Sequence, residues 1–473
     1  MHAKKIIKEF KMDTRKRTFI MINLIVTCIA SSFLQTALTT ALPPMIQDLH
    51  ISVSEGQWLT SGYSLAMGIM MPLTAFLITR CPTKKLYVSA IGIFLAGLLV
   101  CIFATSFPAM MIGRILQACS NGITTSMAQV VLLTIYPPEK RGTVMGWYGL
   151  SVGAAPVIAP TIAGVLVDTL GWRTIFIIAF AVLMLSFLMA VTLFDNVLET
   201  HKKAFDVFSF LLSALAFGGI TLGIGNISVL GISAIMTICP LSVGIVAGAL
   251  FTYRQFHIEE PFLNLCILRV QAYRLSVIGS MMLYLVMMGS SIIMPLYVQS
   301  ILGKSATVSG LVTLPGSLAM AVISPFAGKI FDKFGMKRLA VFGTLMMLFS
   351  TLGMCLITAN TSVVVASMLN VIRSISIGCL MMPFVTFGIS SMASENTAHG
   401  TALLTSLRTI AGAIGTAVFV GILNFSASST KALTYSNTGI YGLHITFFCM
   451  TIVTLLMLLI MIFGMKKDKQ NGI

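Results

Sequence analysis

Residues 75–86 read Ala-Phe-Leu-Ile-Thr-Arg-Cys-Pro-Thr-Lys-Lys-Leu, and residues 328–339 read Gly-Lys-Ile-Phe-Asp-Lys-Phe-Gly-Met-Lys-Arg-Leu. The two stretches align without a gap, and in each an apolar run ends in a short basic turn before another apolar run begins. Arg114 and Arg373 follow in the same order, and after each comes a Gly-Thr pair at the start of a further apolar run. This internal similarity indicates two copies of one helical unit that run in the same direction.

The composition is that of a chain whose main solvent is lipid. Of 473 residues, 57% are hydrophobic and only 9% are charged, and the mean hydropathy is +0.97. An average soluble protein carries about 25% charged residues, so the charge present here is too small to build a water-facing surface. Many apolar runs reach the ~20 residues that a helix needs to cross ~30 Å of hydrocarbon.

Hydropathy, cut where proline, glycine and charge cluster, predicts fourteen spans. They are 18–42, 58–79, 86–105, 107–134, 143–167, 174–194, 207–227, 231–252, 275–298, 306–330, 339–358, 361–389, 401–424 and 441–464. The first is longer than the apolar core of a cleaved signal peptide, so we expect it to be retained.

The repeat and the spans together predict the organisation of the chain. The predicted parts are a basic N-terminus (1–17), a six-helix bundle (18–194), a linker with two inserted spans and a cytoplasmic loop (195–274), a second six-helix bundle (275–464) and a tail (465–473). The predicted fold class is an all-α polytopic membrane protein of two six-helix bundles in parallel repeat, with a two-helix central insertion and about 14 transmembrane helices.

The distribution of basic residues predicts the orientation. The formal net charge is +16, but the positive residues lie in short clusters between apolar runs and form no solvated face for nucleic acid. If the N-terminus is cytoplasmic, nearly all Lys and Arg outside the spans face the cytoplasm, and only Arg173, Lys304 and Lys431 do not. Cytoplasmic connections are enriched in Lys and Arg, so we expect a multi-pass plasma-membrane protein with both termini in the cytoplasm.

The basic turn after span 10 resembles a known family signature. Residues 328–338 are similar to Gly-x-x-x-Asp-x-x-Gly-x-Lys-Arg, the cytoplasmic loop motif of the major facilitator superfamily. In the first copy Thr79 replaces the acid and Pro82 replaces the second glycine. Short basic turns also arise from topology alone, but repetition in one register favours a gate. The candidate gate residues are Arg80, Lys84, Lys85, Asp332, Gly335, Lys337 and Arg338.

Span 5 carries a second resemblance, to the antiporter signature of the same superfamily. The positions that matter are Gly149, Gly153, Pro156, Pro160 and Gly164. Gly149 and Gly153 lie one turn apart on one face and would admit a neighbouring backbone, while each proline removes a helical hydrogen bond and favours a kink. Small residues in a membrane helix also serve plain packing, and the sequence leaves that alternative open.

Three arginines lie within predicted spans, namely Arg114, Arg373 and Arg408. A guanidinium in hydrocarbon costs at least ~2.5–3.5 kcal/mol, so each should face the bundle interior or a watered cavity. The alternative for each of them, and above all for Arg408, is that it reaches the nearer interface or caps neighbouring carbonyls. Gln117 and Asn121 follow Arg114 at helical spacing and form one polar stripe with it. This stretch resembles the family's span-4 signature, whose arginine is linked to proton-coupled transport.

The resemblance implies that spans 1, 4, 9 and 12 line a central path. The candidate contacts on that path are Gln35, Thr39, Arg114, Gln117, Asn121, Tyr284, Asn370 and Arg373. Gln35 stands where many relatives carry an acid, and an amide cannot titrate. Because no carboxylate lies at the middle of a span, the candidate proton carriers lie nearer the interfaces. They are Asp168, Glu55, Asp48 and His444, the last with a plain packing alternative.

The resemblance covers nearly the whole chain and points to the fourteen-span drug:proton antiporter branch of the superfamily. It implies a multidrug efflux transporter that works as a monomer in the lipid bilayer and exports small amphipathic compounds in exchange for protons. The three arginines predict a positive cavity that disfavours permanent cations. No phosphate-binding loop or metal-spaced cluster is present, so we expect no enzyme activity, cofactor or metal. The alternative is a receptor or accessory protein that keeps the transporter fold without proton-coupled flux.

Overall fold

The structure is a computed structural model that describes residues 13–198, 200, 205–231, 233–258, 261–304, 306–358, 361–427 and 438–465. These residues form fourteen long α-helices and no strand. The helices are α1 (Thr14–Asp48), α2 (Val53–Arg80), α3 (Thr83–Phe103), α4 (Phe107–Ile135), α5 (Pro138–Leu170), α6 (Arg173–Leu193), α7 (Val207–Leu230), α8 (Ile235–His257), α9 (Gln271–Leu296), α10 (Ala306–Phe334), α11 (Met336–Cys355), α12 (Val363–Ser390), α13 (Thr397–Ala427) and α14 (Thr438–Gly464). Most of the predicted basic N-terminus and tail lies outside the described residues.

Thirteen helices within the described part of the chain are long and apolar enough to cross a membrane. The helix outside that set is α5, in which several side chains are not described. The predicted all-helical membrane fold is confirmed, and the count of fourteen spans stays a prediction. Several helices run past their apolar cores: α1 continues through Pro43 and Pro44 to Asp48.

Local chemistry fixes several helix ends. At the start of α2 the Ser52 hydroxyl accepts a hydrogen bond from the Glu55 amide at 3.2 Å, and the Glu55 carboxylate accepts one from the Ser52 amide at 2.8 Å. This capping box satisfies amide groups that the first helical turn leaves without partners. Gly335 has a φ of 76°, a left-handed conformation that glycine adopts without strain. A single residue therefore joins α10 to α11, a shorter connection than the eight residues between the predicted spans, which end at 330 and begin again at 339.

The helices fall into two groups and a hairpin. Helices α1–α6 pack mainly on one another, as do α9–α14, while α7 packs against α8. Two seams join the groups: α5 lies along α10, and α13 contacts α2. Helix α7 touches both α2 and α13, so the hairpin lies across the second seam. We call the end of the array that holds residues 81–82, 136–137 and 335 the basic end.

Candidate functional site

The backbones of α5 and α10 touch at the basic end of the first seam. A Cβ atom added to Gly328 would lie 2.0 Å from the carbonyl oxygen of Gly142. One turn further along α5, a Cβ added to Gly146 would lie 2.5 Å from the carbonyl oxygen of Ser324. Atoms cannot approach so closely, so this seam requires glycine on both helices. The two groups are thereby in direct contact at this end.

The signature glycines of α5 lie on the same seam but meet side chains. A Cβ on Gly149 would lie 2.7 Å from Met382, and one on Gly153 would lie 2.8 Å from Met320. Both methionines belong to the second group. Gly164 faces α1 of its own group instead, with the nearest side-chain atom at 3.9 Å. Close backbone approach thus occurs one to three turns nearer the basic end than the sequence suggests.

The Asp332 carboxylate joins the two groups by hydrogen bonds. Its Oδ1 accepts from the Gly142 amide at 2.8 Å, and its Oδ2 accepts from the Thr143 amide at 2.8 Å and the Thr143 hydroxyl at 2.7 Å. An anion near the start of a helix also interacts favourably with the helix dipole. We call these three residues the Asp332 latch. At the corresponding place in the first copy, the Thr79 hydroxyl bonds within α2, to the Phe76 carbonyl at 2.9 Å.

The other candidate gate residues stay within their own groups. Lys337 donates to the Met465 carbonyl at 2.6 Å, and its positive charge interacts favourably with the C-terminal end of the α14 dipole. Arg80 lies over a phenylalanine ring of α2, 5.7 Å from its centroid. The Lys84 amide donates to the connection after α6, at 3.0 Å. The side chains of Lys85 and Arg338 are exposed.

Arg114 lies at the centre of a buried polar network between α4 and α2. The arginine is 1% exposed, and its Nε donates to the Leu59 carbonyl at 3.2 Å while Nη1 donates to the Gln117 amide oxygen at 2.9 Å. Its guanidinium stacks over the Tyr63 ring, 4.1 Å from the centroid. Asn121 donates to the Tyr63 hydroxyl at 2.8 Å. The structure thus brings the predicted stripe together and directs it toward α2 of the same group.

Arg373 has a sparser environment. It is 4% exposed and donates through Nη2 to the Asn370 side-chain oxygen. Its Nε and Nη1 have no hydrogen-bond partner among the described residues. Asn370 in turn packs against α10, where a Cβ on Gly316 would lie 2.7 Å from its Nδ2. The pair therefore lies inside the second group, between α12 and α10.

Arg408 lies on α13, a helix of the second group that also contacts α2 and α4 of the first group. Arg408 is 5% exposed, and its guanidinium lies 4.9 Å from the centroid of the Tyr284 ring of α9. Tyr148 of α5 lies within electrostatic range of both residues. Gln129 of α4 donates to the Tyr148 hydroxyl at 3.3 Å. We call Tyr148, Tyr284 and Arg408 the central cluster.

The four candidate proton carriers all lie toward the end opposite the basic one. Asp48 pairs with Arg173 at 2.5 Å, and this hydrogen bond lowers the pKa of the Asp48 carboxyl. Bonds from the N-cap serine of α2 lower the pKa of Glu55. His444 is bonded through Nε2 to a carbonyl of the connection between α11 and α12, at 2.6 Å. Asp168 is exposed near the end of α5.

The remaining candidates can be located only in part. Gln35 is half-buried on α1. The side chains of Thr39, Pro156 and Pro160 lie outside the described part of the chain, although their backbones belong to α1 and α5.

Comparison with known proteins identifies the family. The sequence model described as Major Facilitator Superfamily matches residues 24–416. The chain belongs to this superfamily. This superfamily member is 33% identical to the uncharacterized MFS-type transporter YcnB of Bacillus subtilis over 436 residues, which cover 92% of each chain. It is 34% identical to the lincomycin resistance protein LmrB of the same species over 409 residues, or 85% of each chain.

A solved structure agrees with the fold of this superfamily member. The human organic anion transporter MFSD10 superimposes with a TM-score of 0.65, covering 95% of this chain and 100% of that one. The identity is 13%, so the likeness shows the fold alone. Membership of the superfamily, the transporter relatives and the thirteen membrane-length helices of the described chain together make the protein a multi-pass membrane transporter and not an enzyme.

Two residues of the transporter's polar networks are absent from the sequence-based candidates, Tyr63 and Tyr148. Both are buried and hydrogen-bonded, and each contacts or faces an arginine of another helix. The sequence marks Arg408 as an arginine within a span, but the family resemblance places the path on spans 1, 4, 9 and 12, and Arg408 lies on span 13. A usable signal existed in the heptad-like run of Thr401, Thr405 and Arg408, which places three polar groups on one helical face.

Proposed function

We propose that this superfamily member exports small amphipathic compounds in exchange for protons, by alternating access. The observation that carries the proposal is the Asp332 latch. Its three hydrogen bonds run from one helical group to the other at the basic end, so they exist only while that end is closed. A bond set that one of two arrangements makes and the other breaks is what a transporter needs to switch between them.

The two groups are inferred to act as the moving parts. In this proposal α1–α6 and α9–α14, which correspond to the predicted bundles 18–194 and 275–464 and begin a few residues before them, rock about the seams, and the α7–α8 hairpin belongs to the linker 195–274. The clustering of Lys and Arg supports a cytoplasmic basic end in the plasma membrane, with both termini on that side. Each monomer holds both groups, so one chain suffices for a transport cycle.

The substrate path is proposed to run between the groups. Gln35, Thr39, Arg114, Gln117, Asn121, Tyr284, Asn370 and Arg373 are its proposed contacts. The contact of Gly149 and Gly153 with side chains of the second group supports a role for α5 as the helix that shifts along the seam. The resistance protein among the relatives supports export and a drug-like substrate. The coupling proton is proposed to bind one of Asp168, Glu55, Asp48 and His444.

The test is uptake into everted membrane vesicles from cells that express the chain. An acid-inside gradient is imposed, and lincomycin is followed together with one cationic, one neutral and one anionic fluorescent amphiphile. We expect uptake of at least one compound that a protonophore abolishes, and no such uptake in vesicles without the protein. Gradient-insensitive or absent uptake of every compound would refute export by proton antiport and favour a receptor or accessory role.

A second readout assigns the proton carrier. Asp48→Asn, Glu55→Gln, Asp168→Asn and His444→Gln are compared one at a time in proteoliposomes. Loss of the carrier should abolish gradient-driven uptake while leaving substrate exchange at equal pH intact. If all four variants keep gradient-driven uptake, the proton binds elsewhere.

A further inference from the structure

The central cluster has the features of a binding site for an anionic group. Arg408 is 5% exposed, and its Nη1 has no hydrogen-bond partner in the described part of the chain. A buried guanidinium that retains an unused donor lacks the hydrogen bonds that normally compensate its desolvation. The Tyr284 ring covers one side of it, which leaves the donor edge for another group.

Further unused polar atoms lie on the helical faces that surround Arg408. The Thr405 hydroxyl, one turn before Arg408 on α13, has no partner among the described residues. The same holds for the Ser280 hydroxyl, one turn before Tyr284 on α9. Residues three and four apart share a helical face, so these hydroxyls are on the same side of their helices as the cluster. Buried donors without partners are rare in folded proteins, so such atoms on the helical faces of Arg408 and Tyr284 are available to a ligand.

No carboxylate of the described chain balances Arg408. The ion pairs of the described chain lie at helix ends and do not include Arg408. They are Lys16 with Asp195, Arg173 with Asp48 and Arg254 with Asp206. The helices α4, α9 and α13 contain no acidic residue, and the two on α5 lie near its ends. The nearer of them, Glu139, is roughly 13 Å along the helix from Tyr148. Among the described residues, therefore, no carboxylate compensates this positive charge.

Arg408 differs from the two other buried arginines in where it lies. Arg114 uses its donors on α2 and α4, and the recorded contact of Arg373 is with its own helix. Arg408 and Tyr284 belong to the second group, whereas Tyr148 belongs to the first. The helix that carries Arg408 also packs against α2 and α4 of the first group, so the binding of an anion here would respond to movement of the groups.

We propose that the central cluster binds the anionic group of the transported compound, a carboxylate or sulfonate carried on an aromatic body. Arg408 supplies the positive charge and two of its N–H donors. The Tyr148 and Tyr284 rings pack against the aromatic body. This assignment rests on the proposed transport function and names its substrate class. A permanent cation is rejected, because it would meet an unbalanced guanidinium with no carboxylate to offset it.

The test is equilibrium binding to the purified full chain in lipid nanodiscs, read from dansyl fluorescence. Dansylglycine and dansylglycinamide differ only in a carboxylate and a neutral amide, and a dansyl-ethylenediamine probe carries a cation. The wild type should bind dansylglycine at least about tenfold more tightly than the amide, and the cation most weakly. Arg408→Gln should lose about 30-fold or more for dansylglycine and less than about threefold for the amide.

Two further variants separate a site from a packing role. Arg408→Lys keeps a positive charge, so it should keep the preference for the carboxylate even with weaker binding. Lys304→Gln removes one positive charge from an exposed connection and should leave all three affinities unchanged. Monodisperse size-exclusion profiles show whether each variant is folded.

The binding results decide whether the central cluster is an anion site, whether or not transport is driven by protons. If the wild type binds carboxylate and amide equally, binds neither, or if Arg408→Gln keeps the preference, the anion site is wrong, whatever the vesicle uptake shows. If Arg408→Gln does not fold, the wild-type preference and Arg408→Lys still decide, since a wild type without preference overturns the proposal. Proton-driven export of a neutral drug by a protein without this preference would leave the transport function standing and remove the anion site alone.

Discussion

Replacing Asp332 by asparagine should release the latch between the two helical groups. Asp332 accepts three hydrogen bonds from α5, and a hydrogen bond to a charged group contributes about 1.5–3 kcal/mol. Asparagine keeps one acceptor oxygen and places an NH2 group against donors at the other position. The expected loss is about 2–4 kcal/mol, which lowers the ratio of latched to unlatched molecules about 30- to 700-fold.

Double electron-electron resonance gives the distribution of distances between two spin labels, and the populations of its components measure the ratio of latched to unlatched molecules. Nitroxide labels are attached to Thr192→Cys on α6 and Ser391→Cys after α12, both exposed toward the basic end on different groups, in a chain without its nine native cysteines. The wild type should give one predominant short distance, and Asp332→Asn should add a longer one as a major component. A population that starts near 99:1 becomes roughly even after a 100-fold shift.

Two control variants test whether the shift comes from the hydrogen bonds of Asp332. Thr143→Val removes the hydroxyl bond and keeps both amide bonds, so its shift should be intermediate. Thr79→Ala removes a hydroxyl from the corresponding turn of the first copy, where the bond is internal to α2, and should leave the distances unchanged. Identical distance distributions for the wild type and Asp332→Asn would refute the latch.

Three more predictions follow from the same geometry. Gly328→Ala places a methyl group 2.0 Å from a backbone oxygen of α5 and should abolish vesicle uptake at normal membrane abundance. The control Gly421→Ala, at a position with open space around it, should keep uptake, and equal uptake by the two variants would contradict the close seam. Arg114→Ala should abolish uptake and lower the free energy of unfolding by about 2–4 kcal/mol, more than Arg373→Ala, because more partners lose their donor; unchanged flux would remove both arginines from the mechanism. The pKa of Asp48 is lowered in the folded state, so its carboxylate stabilises the fold at pH values above the ordinary Asp pKa of about 3.9. This contribution to stability is lost as the pH falls through the lowered pKa. Melting curves of Asp48→Asn should therefore differ from the wild type by at most about 1 kcal/mol at neutral pH and by less in acid, and a difference that grows in acid would contradict the pairing.

Periodicity and composition predict much of this fold, because each helix must satisfy its own backbone in lipid. The sequence therefore predicts the helices, a short basic turn around Gly335 and the polar stripe after Arg114. It cannot predict which residue of a distant helix meets a given face. Gly149 and Gly153 were expected to admit a backbone, yet the backbones touch at Gly142 and Gly146, where α10 happens to come nearest.

The polar partners were missed for a similar reason. A tyrosine in an apolar helix has no periodic signal of its own, and only the folded chain brings Tyr148 near Arg408. The path candidates came from family analogy, and the contacts of Arg114 show that an arginine on such a helix can be directed into its own group. Thr79 shows how much one residue decides: the turn recurs in both copies, but the carboxylate and its bonds across the seam belong to the second alone.

The α7–α8 hairpin limits how the halves of the transporter can move. Helix α7 packs against α2 on one side and α13 on the other. Moving those two helices apart would therefore expose the faces of α7 that they cover. A sliding movement, as packed helices make in shear motions, keeps both contacts. In the proposed transport cycle the two extra helices therefore guide α2 and α13, and cross-linking α7 to α8 should slow the cycle without altering the proposed contacts of substrate or proton.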